Sequence, residues 1–254
     1  MVAGTAPDAT PLERALVDLA RKTCTAPARL TPGDVGALRS VAGNGAIDYA
    51  LVMGAFHFIN RMADLLHVES EALPPSLRRF EPLRRITVRV ASKLLSRMDL
   101  GPRDYPRSFD EAVRSATPTF SRALGRRLAD ELAAVAVRPQ VVELLALALE
   151  ERDARSSLDR GTLARIHATV DTALPADSSD VEGFHERPAD PVEAFAFVGT
   201  RYAYRTTPAM IEALRDAGYD DLGILDLAIA VADANQWARL HRLLDLPREL
   251  YSVA

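Results

Sequence analysis

IEALRDAGYDDLGILDLAIAVADANQWARLHRLLDL, residues 211–246, is a phrase that the chain states twice. Its counterpart is VGALRSVAGNGAIDYALVMGAFHFINRMADLLHV, residues 35–68. Ala37-Leu38-Arg39 answers Ala213-Leu214-Arg215, and Asp48 answers Asp226. Arg61 with Leu65-Leu66 answers Arg239 with Leu243-Leu244. Upstream, Thr31-Pro32 matches Thr207-Pro208, and Thr10-Pro11 stands where the later phrase has Asp190-Pro191. A repeat at this separation predicts one helical supersecondary unit used twice.

The rest of the composition agrees with helix. The 254 residues suffice for one large domain or two smaller ones. Ala and Leu are abundant, and both favour helix over sheet. The net charge of -4 removes any global basic field of the kind that marks a nucleic-acid binder. Cys24 is the single cysteine, which excludes an internal disulfide and a cysteine-built zinc site. That usage, with no signal-peptide pattern and no apolar run long enough to span a bilayer, predicts a cytoplasmic protein without a membrane partner.

Taken in order, Thr10-Pro11 with Glu13 reads as a capped helix start. Thr31-Pro32 starts a second helix, Gly43-Asn44-Gly45 breaks it, and 46–66 reads as a longer helix. Apolar residues lie all round that helix, so it is expected inside an assembly or at a bundle centre. Residues 76–98 form a basic amphipathic segment from Arg78 to Arg97. Arg85, Arg89, Lys93 and Arg97 share one face, and the ordinary reading is a solvated surface. The linker 101–106 divides the chain into a shorter first copy with this basic helix, 1–105, and a fuller unit, 106–254. Helices are expected over 120–137, 140–152 and 158–172, then a polar loop to 189 and the second copy. No strand pair is legible, and the fold class is all-α, a helical bundle with an internal repeat.

The phrases Thr207-Pro208, Ile211 to Gly218 and Ile224 to Leu227, with Asn60-Arg61 closing the first copy, resemble the carboxymuconolactone decarboxylase and alkylhydroperoxidase D-like superfamily. The resemblance covers roughly residues 10–67 and 108–246. It implies a homo-oligomer, at least a dimer, with the two copies standing in for two subunits. Peroxidase-like members carry a Glu and then a C-x-x-C with a His four residues on, because a redox disulfide needs two thiols one turn apart and a depressed thiol pKa. Glu143 matches the acid. Arg155 and Leu158 stand at the cysteine positions and Thr162 at the His, so the redox motif is absent. The resemblance then leaves a divergent enzyme acting on a small organic ligand between the copies, a non-catalytic assembly or ligand-binding relative, or a single-cysteine peroxidase using Cys24.

The residues offer candidates for each. His57 sits one turn before Arg61 and could act as a general acid or base, with Asn60 and Arg61 lining a pocket between copies. Glu143 in an apolar helix could carry a raised pKa. Asn235 and Arg239 crowd the last helix and could bind substrate. The alternative for His57, Asn60 and Arg61 is a polar bracket that fixes helix ends or pairs with Asp64 or Asp48, and for Glu143 it is pairing with an arginine or simple exposure. Asp177, Asp180, Glu182, His185 and Glu186 read as a solvated acidic linker rather than a metal site. No cofactor and no metal is expected.

Overall fold

The protein is described from a computed structural model that covers residues 9–43, 45–67, 130–131, 156–177 and 187–248. The chain divides into two compact units, Val68–Thr117 and the remainder, and all of these residues belong to the larger one. The segments 9–67 and 156–248 therefore share one unit. The expected linker at 101–106, the basic face from Arg78 to Arg97 and the helices expected over 120–152 lie outside the described residues, apart from Asp130 and Glu131.

Among the described residues there are seven α-helices, two 3-10 turns and no strand. Helix α1 (Pro11–Thr25) starts on a reciprocal cap: Glu13 N donates to Thr10 Oγ1 at 3.2 Å, and Thr10 N donates to Glu13 Oε2 at 2.7 Å. A 3-10 turn (Pro27–Arg29) leads to α2 (Pro32–Ala42). There the Asp34 carboxylate accepts from Thr31 N at 2.8 Å and pairs with Lys22 of α1 at 2.7 Å. Gly43, at φ 58, supplies the left-handed turn that ends α2 before α3 (Gly45–Leu65). The later residues give α4 (Arg160–Ala173), α5 (Pro191–Arg201), a second 3-10 turn (Ala203–Arg205), α6 (Pro208–Asp216) and α7 (Asp221–Leu244).

Helix α7 is the axis of this unit. Its buried residues serve two apolar clusters. On one side Trp237, Leu240 and Leu243 pack with Leu19, Leu38, Ile47 and Leu51 of α1 to α3. On the other Leu227, Val231 and Ala234 pack with Ile166 and Val170 of α4, Phe195 of α5 and Leu214 of α6. Helix α4 runs alongside α7 in the same direction. Ser157 N and Oγ both donate to Asp226 Oδ2 at 2.6 Å near one end. Arg242 meets Asp171 at 3.7 Å near the other.

Two glycines let α3, α5 and α7 close up. A Cβ on Gly199 would lie 2.8 Å from Val231 Cγ1 and 3.0 Å from Leu65 Cδ2. One on Gly54 would lie 3.0 Å from Leu240. Helix α3 differs from the expectation of a helix covered on every side. Ala46, Ile47, Ala50, Leu51, Gly54 and Leu65 are buried, yet Val52, Phe56 and Ile59 on the outer face are 60%, 63% and 60% exposed. The apolar run is long enough to fill two faces, and the described elements cover only one.

Candidate functional site

Four of the residues singled out from the sequence meet where α3, α5 and α7 pack together. His57 and Arg61 lie one turn apart on α3, and Asn235 and Arg239 lie one turn apart on α7. Arg239 is 1% exposed, Asn235 is fully buried, His57 is buried and Arg61 is half-buried. Asn60 points away from this group and is exposed. Glu143 lies outside the described residues, as do Asp180, Glu182, His185 and Glu186. Among the described residues no cluster of His, Cys, Asp and Glu could hold a metal ion.

The hydrogen bonds form one continuous chain across four helices. Arg61 Nη2 donates to the Thr200 carbonyl, in the last turn of α5, at 3.2 Å. Asn235 Nδ2 donates to the Thr200 hydroxyl at 3.0 Å. Arg239 Nη1 donates to Asn235 Oδ1 at 3.0 Å, and Arg239 Nε donates to the Thr23 carbonyl, in the last turn of α1, at 3.0 Å. Each long helix thus sends one guanidinium to the C-terminal end of a shorter helix in the other half of the chain. The last carbonyls of a helix lack intrahelical partners and carry the negative end of its dipole, so a cation there is stabilised twice. Among the described residues no carboxylate lies within ion-pair distance of Arg61 or Arg239.

The electrostatics of the group follow from that packing. Burial, with Arg61 and Cys24 acting in opposite directions, lowers the Arg239 guanidinium well below its usual value. Burial also lowers Arg61, to about 10. Burial and then the two cations push His57 down to about 2. Its imidazole is therefore neutral. Arg61 Nη1 lies 3.1 Å from His57 Nδ1, and a guanidinium can only donate, so Nδ1 accepts and Nε2 carries the proton. An imidazole that refuses a proton above about pH 2 is a poor general base at neutral pH, where the useful value lies near the operating pH.

The neighbouring candidates resolve individually. Cys24 is exposed at the end of α1. His241 Nδ1 meets the Leu246 carbonyl at 2.7 Å and fastens the end of α7. Sequence reasoning found the arginines but not their acceptors, because a backbone carbonyl has no side-chain signature. The signal for them is positional: Thr23 and Thr200 fall eight and seven residues before Thr31 and Thr207.

Of three concavities formed by described residues, none is lined by His57, Arg61, Asn235 or Arg239. One of about 480 Å³ lies between the starts of α5 and α6 and is lined by Arg187, Thr207, Met210 and small apolar residues. A second, about 260 Å³, sits where α4 and α7 begin, beside Asp159 and Asp220. Their carboxylates are occupied as helix caps. The third, about 230 Å³, lies between Leu65, Ile211 and Ile224. Comparison with known proteins finds no family model, no curated protein and no solved structure that matches this chain.

Proposed function

We propose that this chain is a divergent, non-redox relative of the carboxymuconolactone decarboxylase and alkylhydroperoxidase D-like proteins that acts by assembly rather than by catalysis. The observation that carries the reading is the crosswise pair of arginines. Arg61 Nη2 and Arg239 Nε are directed at main-chain carbonyls of α5 and α1, and none of the concavities formed by described residues opens onto the pair. A group so occupied braces helix ends and has little left for a substrate.

The order of elements supports the internal repeat. Residues 11–65 run helix, 3-10 turn, short helix, long helix, and residues 191–244 run the same way. The joints agree in backbone angles: Ala26 has φ -145 and ψ 53, and Tyr202 has φ -143 and ψ 43. Thr31 has φ -142 and ψ 161, and Thr207 has φ -125 and ψ 155. In this reading Arg61 and Arg239 are the same residue of the unit, each holding the first helix of the other copy.

A second reading, a single-cysteine peroxidase, is favoured by the exposure of Cys24 at the end of α1, within electrostatic reach of Arg61 and Arg239. There the thiolate attacks the distal peroxide oxygen, an S–O bond forms as the O–O bond breaks, and the alcohol leaves with a proton. An external dithiol then reduces the sulfenic acid. Hydroperoxide consumption with a dithiol reductant, wild type beside Cys24→Ser, separates the two. Assembly without catalysis predicts no turnover in either protein. Turnover that disappears in Cys24→Ser would replace it with the second reading. Turnover that survives would point to a thiol-independent enzyme.

A further inference from the structure

The outer face of α3 is the part of the described fold that its own core leaves unused. Tyr49, Val52, Phe56 and Ile59 follow one another at spacings of three, four and three, so they form one stripe along the helix. Their exposures are 36%, 60%, 63% and 60%. No charged residue falls between Asp48 and Arg61 in the sequence. Ala55 is also exposed, a small residue between the large ones that lets another helix approach. The four large side chains present on the order of 400 Å² of apolar surface, the scale at which a patch on a soluble protein marks an interaction site.

Helix α7 shows what such a face is for. With Asp48 aligned to Asp226 and Arg61 to Arg239, Val52 and Phe56 correspond to Ala230 and Ala234. Those two alanines are buried in the cluster that holds Ile166 and Val170 of α4. Helix α4 spans this same side of α7, from Asp226 at one end to Arg242 at the other. Among the described residues no helix precedes α1 to lie on the corresponding side of α3. Its face is left bare, and it carries large side chains where α7 carries alanines.

We infer that two copies of this chain associate through α3, with the two helices packed against each other across a two-fold axis. This rests on the assembly reading above and names its surface. The occupant follows from what is available. Helix α4 is already spent on α7, and among the described helices only α3 carries four large exposed apolar residues in one row. A patch without charge is complementary to itself, which a two-fold interface requires. A standard interface takes about 800 Å² from each partner, so the stripe supplies about half and its flanks, including Met53 and Asn60, the rest.

The test is sedimentation equilibrium of the full chain, wild type beside the double variant Val52→Lys/Phe56→Lys, with thermal melting followed by circular dichroism. The expected result is a dimeric wild type, and a variant that is monomeric and melts at a similar temperature once both are compared as monomers. A wild type that stays monomeric at tens of micromolar overturns the inference, whether or not it binds lipid vesicles through the same stripe. A variant that stays dimeric overturns it too. Should the double variant fail to fold, single cysteines at Val52, Phe56 and Ile59 in a Cys24→Ser background replace it. At least one must give a covalent dimer under mild oxidation well above a Tyr204→Cys control, and none doing so sinks the proposal. A monomeric protein without turnover would defeat this interface alone, whereas turnover would defeat the assembly reading itself.

Discussion

Helices α3 and α7 each carry an Asp and an Arg thirteen residues apart and are similar in length, 21 and 24 residues, yet they live in different surroundings. Helix α7 is buried along most of its length, and its arginine is 1% exposed with Nε bonded to Thr23. Helix α3 has neighbours on one side. Its arginine is half-buried, and among the described residues Arg61 Nε finds no acceptor. One pattern thus yields a tight bracket in one place and a looser one in the other. The sequence motif sets what the arginine can reach, and the packing around it sets how much that reach is worth.

The largest expected effect is on the two arginines. Arg239→Met leaves the Thr23 carbonyl and Asn235 Oδ1 without their donor inside the core, and should destabilise by about 3 kcal/mol. Arg61→Met should lower stability by about 1 kcal/mol, because water can replace part of what it donates. Urea unfolding of both variants measures the gap, and equal losses would mean that the two brackets are equivalent after all.

Next come the close approaches. Gly199→Ala should destabilise by about 2 kcal/mol, since the new methyl meets Val231 and Leu65 inside ordinary contact distance. Gly54→Ala meets a single side chain, with Leu240 Cγ and Cδ1 at 3.0 Å, and the gain in helix propensity offsets much of the strain. Its midpoint in urea should move little. A larger shift at Gly54 than at Gly199 would reverse the ranking of the two helix contacts.

The pH dependence separates His57 from Asn235, which occupies the matching place on α7. His57 titrates near 2 when folded and near 6.5 when unfolded, so between those values the unfolded chain binds the extra proton. The stability from keeping His57 neutral is complete above pH 6.5 and is lost as pH falls below it, by up to about 1.4 kcal/mol per pH unit. Asp64, whose partial burial raises its carboxyl, works in the opposite sense. The readout is therefore the difference between wild type and His57→Asn at pH 7 and pH 5. The variant should be less sensitive to acid, and an identical slope would mean that His57 is solvated. The smallest effect belongs to Cys24→Ser, which should change stability by less than about 0.5 kcal/mol because the side chain is exposed.

Much of the local structure is legible from the residues. Thr10-Pro11 with Glu13 and Thr31-Pro32 with Asp34 start helices where their caps say they should, because each signal acts within a single turn. The all-α class is legible for the same reason. The polar cluster is legible only in part. The pairs His57 with Arg61 and Asn235 with Arg239 can be read at a spacing of four on their own helices. Their partners cannot, since Arg61 reaches Thr200 across 139 positions and Arg239 reaches Thr23 across 216.

The sequence by itself determined where helices begin and end, and which residues share a face. Those properties depend on caps and on a 3.6-residue period, both local. Only the tertiary structure decided which of two apolar faces on α3 the described helices would cover, and that the arginines would reach carbonyls at the ends of distant helices. Both outcomes depend on which distant segments arrive beside a helix. Helix α4 lies against α7, no described helix lies against the outer face of α3, and no pattern within either helix encodes that difference.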